Sequence, residues 1–195
     1  MNHNTPSEQP SAQSGFTLIE LLIALFILGL IAAVVVPNFS GDSTKGKVLS
    51  STLQEMGNAL VRMKLDTGCY PTRLDGLFVQ GVNTASNSFC GQDMTASWQG
   101  PYTKPFPVDA NGDALLQTIG SNVTAQIASQ PGGIGTEYII TAQNVPNAVI
   151  HEAVSACNGS DNIGTATFDN SKCVGTPGTG TTPTGTFSVL VDETK

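Results

Sequence analysis

A carboxylate, Glu20, sits near the start of an apolar run that continues without a charge from Leu21 to Val36. In apolar surroundings such a group is costly and marks a functional pairing. The remaining chemistry-bearing residues are sparse. Cys69, Cys90, Cys157 and Cys173 form no CxxC pair, and His3 and His151 are the histidines, so a structural zinc site is not expected. An even cysteine count in a small exported domain reads as two disulfides, with three connectivities open. His151-Glu152 would begin a metalloprotease HExxH motif, but Ser155 stands where the second histidine belongs. Asp109-Ala-Asn-Gly-Asp113 places oxygens at alternate positions, like a calcium loop. Gly120 occupies the position of the bidentate glutamate, so a turn is the better reading and calcium the lesser. No nucleophile–base constellation or phosphate-cradling glycine loop is present. The net charge of -7 offers no footprint for nucleic acid.

These residues need elements to position them. The chain has 195 residues, enough for one modest domain plus the hydrophobic segment. Residues 1–15 are polar. The apolar run from Phe16 to Val36 has the length of a membrane-spanning helix, about 20 residues. A secretory signal peptide would need a basic n-region and a small-x-small cleavage site, and neither is present. A plain membrane anchor leaves Glu20 unexplained. Pro37 cannot donate to a helix ladder and bends it, and Gly29 is a poor helix former upstream. Beyond them, Leu49, Leu53, Met56, Leu60 and Met63 recur at helical spacing. They predict an amphipathic helix to about Leu65, ending before Gly68, its stripe packed on a small sheet as the second half of one long helix. Residues 66–135 read as loop-rich. "TEYIITA" (136–142) reads as a strand. "NVPNAVIHEAVSAC" reads as a short helix with Pro146 in its first turn. "GTATFD" (164–169) and "TFSVLVDE" (186–193) read as strands, the last closing the sheet edge. "VGTPGTGTTPTG" between them reads as a flexible loop.

The stretch Gly15-Phe16-Thr17-Leu18-Ile19-Glu20, an apolar helix and Pro37 resembles the start of a type IV pilin or pseudopilin. The resemblance implies an α+β pilin fold, a long N-terminal helix on a small antiparallel sheet. It implies a leader at 1–15, a transmembrane and assembly helix at 16–37, and a periplasmic or extracellular globular domain at 38–195. A prepilin peptidase would cut after Gly15 and methylate the new amine of Phe16. In a filament, Glu20 would pair with the Phe16 amine of a neighbouring subunit, and the segment between Gly29 and Pro37 would unwind. The implied partners are other pilin subunits, an inner-membrane assembly platform and, before assembly, the membrane itself. No cofactor and no nucleic acid are implied. Many pilins place a disulfide where Cys157 and Cys173 lie, and Cys69 with Cys90 would close a second loop after the long helix. The leader departs from the family in carrying no Lys or Arg.

Within the class, "GCYPTRLDGLF" and "WQGPYTKPFP" resemble segments of the major pseudopilin of type II secretion, although Gly100-Pro101-Tyr102 lacks the Asp-Pro-Trp-Gly continuation. The Ile-Ile-Thr strand, Val-Pro and a helix ending in Cys157 resemble the larger type IVb pilins. Two apparent disulfides and a long C-terminal region favour a subunit of a type IV pilus, reaching the cell surface in an extracellular filament. The alternative is a type II secretion pseudopilin. A membrane-anchored enzyme or binding protein is the contrasting class.

Overall fold

A computed structural model describes residues 18–35, 41–164, 166–181 and 183–194. The chain divides into two units, Met1–Phe39 and Ser40–Lys195. The first contains helix α1, Leu18–Val35, apolar throughout except for Glu20 in its first turn. The expected continuity of one long helix falls on residues 36–40, and Pro37 with it; both lie outside the described residues.

The second unit begins with α2, Gly41–Thr67. Its predicted stripe is the buried face: Leu49, Leu53, Leu60 and Met63 are 0 % exposed. Helical spacing sets five large apolar side chains in one row, and burying each stabilises by about 1.5–3 kcal/mol. The helix stops where Gly68 takes φ +82° and its N–H bonds back to the Lys64 carbonyl at 2.7 Å. That left-handed conformation is one glycine adopts without strain.

After short 3-10 turns at Leu74–Leu77, Gln80–Val82 and Ala85–Asn87 come the strands. They are β1 Ala114–Leu115, β2 Thr124–Pro131, β3 Thr136–Pro146, β4 Cys173–Thr176 and β5 Thr184–Thr194, with helix α3, Asn147–Asn158, between β3 and β4. Among the described residues they form one antiparallel sheet in the order β1-β2-β3-β5-β4. Ile140 faces Val189 and Ala142 faces Phe187 across the β3–β5 ladder. All four are at most 1 % exposed and belong to the core that α2 and α3 cover. The fold is α+β, a helix over an antiparallel sheet, as the pilin resemblance implies.

Four local expectations need correction. β5 does not close the sheet edge; β4 does, because Cys173–Thr176 pairs along Thr186–Val189. Residues 164–169 form no strand among the described positions. There the Asn170 side chain accepts the Thr167 N–H at 2.9 Å and the chain turns, with Ser171 N–H on the Thr167 carbonyl. Such local side-chain capture competes with a ladder. β3 continues through Pro146, which takes φ -57° and ψ 138° as the N-cap of α3 rather than joining its first turn. A bulge near Asn144, at φ 58°, lets the strand run on, since Asn tolerates that region. Finally, the glycine-rich loop is shorter than expected, because Val174–Thr176 belong to β4 and Thr184 and Gly185 to β5.

Candidate functional site

Among its described residues the first unit presents an apolar surface. Leu18, Ile19, Leu21, Leu22, Ile23, Leu25, Phe26 and Ile27 are 49 to 81 % exposed. Apolar side chains around the whole circumference require apolar cover, from lipid or from other helices. Glu20 lies in the first turn, where a carboxylate also meets the positive end of the helix dipole. Gly29 lies within α1. Gly15 and Phe16, the predicted processing positions, lie outside the described residues. At 1.5 Å per residue the described helix is about 27 Å long, against a hydrocarbon core of about 30 Å. Among the described residues no helix is long and apolar enough to cross a membrane.

In the second unit, disulfides join Cys69 to Cys90 and Cys157 to Cys173, with Cα–Cα distances of 6.3 and 6.1 Å. The first ties the end of α2 to the loop beyond the 3-10 turns. The second ties the last turn of α3 to edge strand β4.

A polar anchor that sequence reasoning missed joins α2 to β5. Asp192 accepts hydrogen bonds from the Lys64 ammonium and from the Tyr70 hydroxyl, the latter at 2.9 Å. Burial works to raise the Asp192 pKa, but the bonds from Lys64 and Tyr70 outweigh it and hold the carboxyl below its ordinary value. The Tyr70 hydroxyl is pushed up well above its ordinary value, by burial first and then by its bond to Asp192. Lys64 also lies 4.9 Å from the Tyr70 ring centroid.

The Asp109–Asp113 segment is a turn. Asp109 Oδ1 accepts the Asn111 N–H at 2.8 Å and the Asp113 N–H at 3.0 Å, the self-bonding that Asp supplies in turns. Arg73 reaches over it, donating to both oxygens of Asp75 and to the Ala110 carbonyl. Burial and the neighbouring Asp109 raise the Asp113 pKa. Among the described residues no group of three or more His, Cys, Asp or Glu is placed to hold a metal ion. His151 Nδ1 lies 3.1 Å from Asp161 in an exposed surface pair.

An apolar helix headed by Glu20, joined in sequence to a helix-on-sheet domain, defines a pilin-like subunit. The sequence model described as "Prokaryotic N-terminal methylation motif" matches residues 10–36. Type II secretion system core protein G of Escherichia coli (strain K12) is 40 % identical over 135 residues, covering 66 % of this chain and 90 % of the relative. The Vibrio cholerae protein of the same name is 31 % identical over 144 residues, 68 % of this chain and 93 % of the relative. The Aeromonas hydrophila protein is 35 % identical over 108 residues, 54 % and 72 % respectively. This chain belongs to the type II secretion system core protein G family. The names of these relatives are those of a secretion-system core component, not of an enzyme. No solved structure matches it significantly.

Proposed function

We propose that this chain is a pseudopilin, polymerising with other pilin-like subunits into the periplasmic filament of a type II secretion system. The observation that carries this reading is the extent of the similarity. The methylation motif spans residues 10–36, whereas the Escherichia coli relative aligns over 135 residues. The likeness therefore runs far into the globular unit and beyond the helix that pilins and pseudopilins share. This replaces the type IV pilus and the surface filament expected from the two disulfides and the long C-terminal region. The match covers 90 % of the relative and 66 % of this chain.

On this reading a prepilin peptidase cuts after Gly15 and methylates Phe16. The sequence from Phe16 to Val36 then anchors the subunit in the inner membrane, a reading that the exposed apolar side chains of the first unit support. On leaving the membrane through the assembly platform, the Phe16 amine of one subunit meets Glu20 of another. Two opposite charges attract strongly where water is excluded, which sets the axial register of the stack.

The test is removal of the chain from its bacterium, followed by comparison of culture medium, periplasm and cell-surface filaments. The expected result is exported proteins trapped in the periplasm with surface filaments unchanged. Normal secretion together with lost surface filaments would return the assignment to the pilus.

A further inference from the structure

Glu137 and Ile139 alternate along β3 with Tyr138 and Ile140, which belong to the core or pack against it. Alternate residues of a strand point to opposite faces, so Glu137 and Ile139 lie on the face turned away from the core. There they line a cleft of about 490 Å³, bounded by the tip of the β2–β3 hairpin and by residues 166–169.

Four observations on this cleft converge. Glu137 is only 5 % exposed. Its Oε2 accepts the Gln130 Nε2 amide at 2.8 Å, and among the described residues no ion pair includes it. A second carboxylate, Asp169, lines the same cleft, and no Lys, Arg or His does. The hairpin tip is bare where it passes both: a Cβ on Gly132 would lie 2.9 Å from Glu137 Oε1, and one on Gly133 would lie 2.8 Å from Asp169 Oδ1. A carboxylate has more acceptor positions than the single amide bond to Gln130 uses, and an opposite charge brought to it is favoured where water is excluded. Apolar Ile139 and Phe168 line the cleft too, surfaces on which a long aliphatic stem can rest.

We propose that this cleft receives the ammonium group of a lysine from a second copy of the chain, and so forms a subunit contact in the filament. The inference rests on the polymerising role proposed above. Charge complementarity selects the occupant. Among the described residues Arg62 donates to the Tyr102 carbonyl and Arg73 to Asp75, and Lys64 is held by Asp192. Lys47, Lys104 and Lys172 are exposed and form no ion pair among the described residues. The chain carries net charge -7, or -6 once cleavage after Gly15 removes Glu8, and such a subunit repels its copies unless its few lysines are aimed at specific carboxylates.

The test uses filaments of the full chain assembled from a mixture of ordinary and nitrogen-15-labelled subunits. They are treated with a zero-length carboxylate–amine cross-linker and mapped by mass spectrometry. The expected result is a mixed-isotope peptide joining Asp169 or Glu137 to a lysine. Glu137→Gln with Asp169→Asn should abolish that peptide and lower the ratio of filament-borne to membrane-borne protein at least fivefold, with both disulfides formed. Filaments in the parent without the cross-link, an unchanged ratio in the variant, or a link to a lysine of another protein would each overturn the proposal. Absence of filaments in the parent would overturn the polymerising role itself.

Discussion

Replacing Gly46 with alanine should destabilise the globular unit, although alanine is the better helix former. Gly46 lies in α2 where α3 crosses it. A Cβ there would run into Glu152 Cβ and stand 2.8 Å from the Ala153 nitrogen and 2.9 Å from the Glu152 carbonyl carbon. These atoms belong to the α3 backbone or are fixed to it, so no side-chain rotation gives relief and α3 itself must retreat. Its inner face, Val149, Ile150, Ala153 and Val154, is 0 % exposed and would lose contact as a block. Helix propensity returns about 1 kcal/mol, while overpacking of this kind costs about 1–3 kcal/mol. The contacts are to backbone, which places the cost at the upper end and the net loss at about 1–2 kcal/mol. Gly57 in the same helix supplies the control. A Cβ there would meet only Val191 Cγ2, at 3.6 Å, an ordinary contact, so Gly57→Ala should be neutral or stabilising by up to about 1 kcal/mol. Denaturant unfolding of the purified full-length chain in detergent, followed by far-ultraviolet circular dichroism, measures both. If Gly46→Ala proves as stable as Gly57→Ala, the close α2–α3 approach is wrong.

Asp192→Asn should lower stability at neutral pH by about 1 kcal/mol, a value kept small because the carboxylate is 32 % exposed. The Asp192 pKa is depressed in the folded state, so its contribution is present above the ordinary carboxylate value and lost as pH falls through the lower one. The gap between parent and variant should therefore close in strong acid; unfolding midpoints across the acid range test this. Replacing Cys157 and Cys173 together by serine should cost about 3 kcal/mol for the 16-residue separation they span, read as a fall in unfolding midpoint under non-reducing conditions. Glu20→Gln should be trimmed and folded normally yet enter filaments poorly, because removing one partner of a buried ion pair costs about 3–5 kcal/mol. An unchanged ratio of filament-borne to membrane-borne protein would rule out the pairing.

Legibility in the sequence tracked how local the cause was. Leu49 to Met63 announced their helix because the 3.6-residue period is written in neighbouring side chains. β3 and β5 showed through β-branched and aromatic runs such as "YIIT" and "TFSVLV". β2 did not, because in "TAQIASQP" Ile127 is the one large aliphatic side chain, and it is buried in a core that the fold assembles from distant segments. Residues 164–169 carried strand composition, yet Asn170 captured the backbone first. The anchor of Lys64, Tyr70 and Asp192 spans 128 residues between its ammonium and its carboxylate, a distance no motif encodes. Glu137 read as an ordinary polar residue of a strand. Gly132 packs against it, and residues 166–169 line the same cleft, neighbours that the fold alone brings beside it.

The strand order has a consequence for how the domain is made. β5 lies between β3 and β4, yet both neighbours precede it in the sequence. A chain emerging from its N-terminus delivers β4 before the strand that is its ladder partner, and leaves one side of β3 as an open row of backbone donors and acceptors. Until β5 inserts, that row can accept any passing extended peptide, including the same strand of another unfinished copy. In the interval between the emergence of β3 and the docking of β5 the domain is therefore open to edge-to-edge aggregation. A chaperone guarding the nascent domain would act there, and synonymous changes that slow translation between residues 146 and 184 should lengthen the exposure without altering the finished molecule.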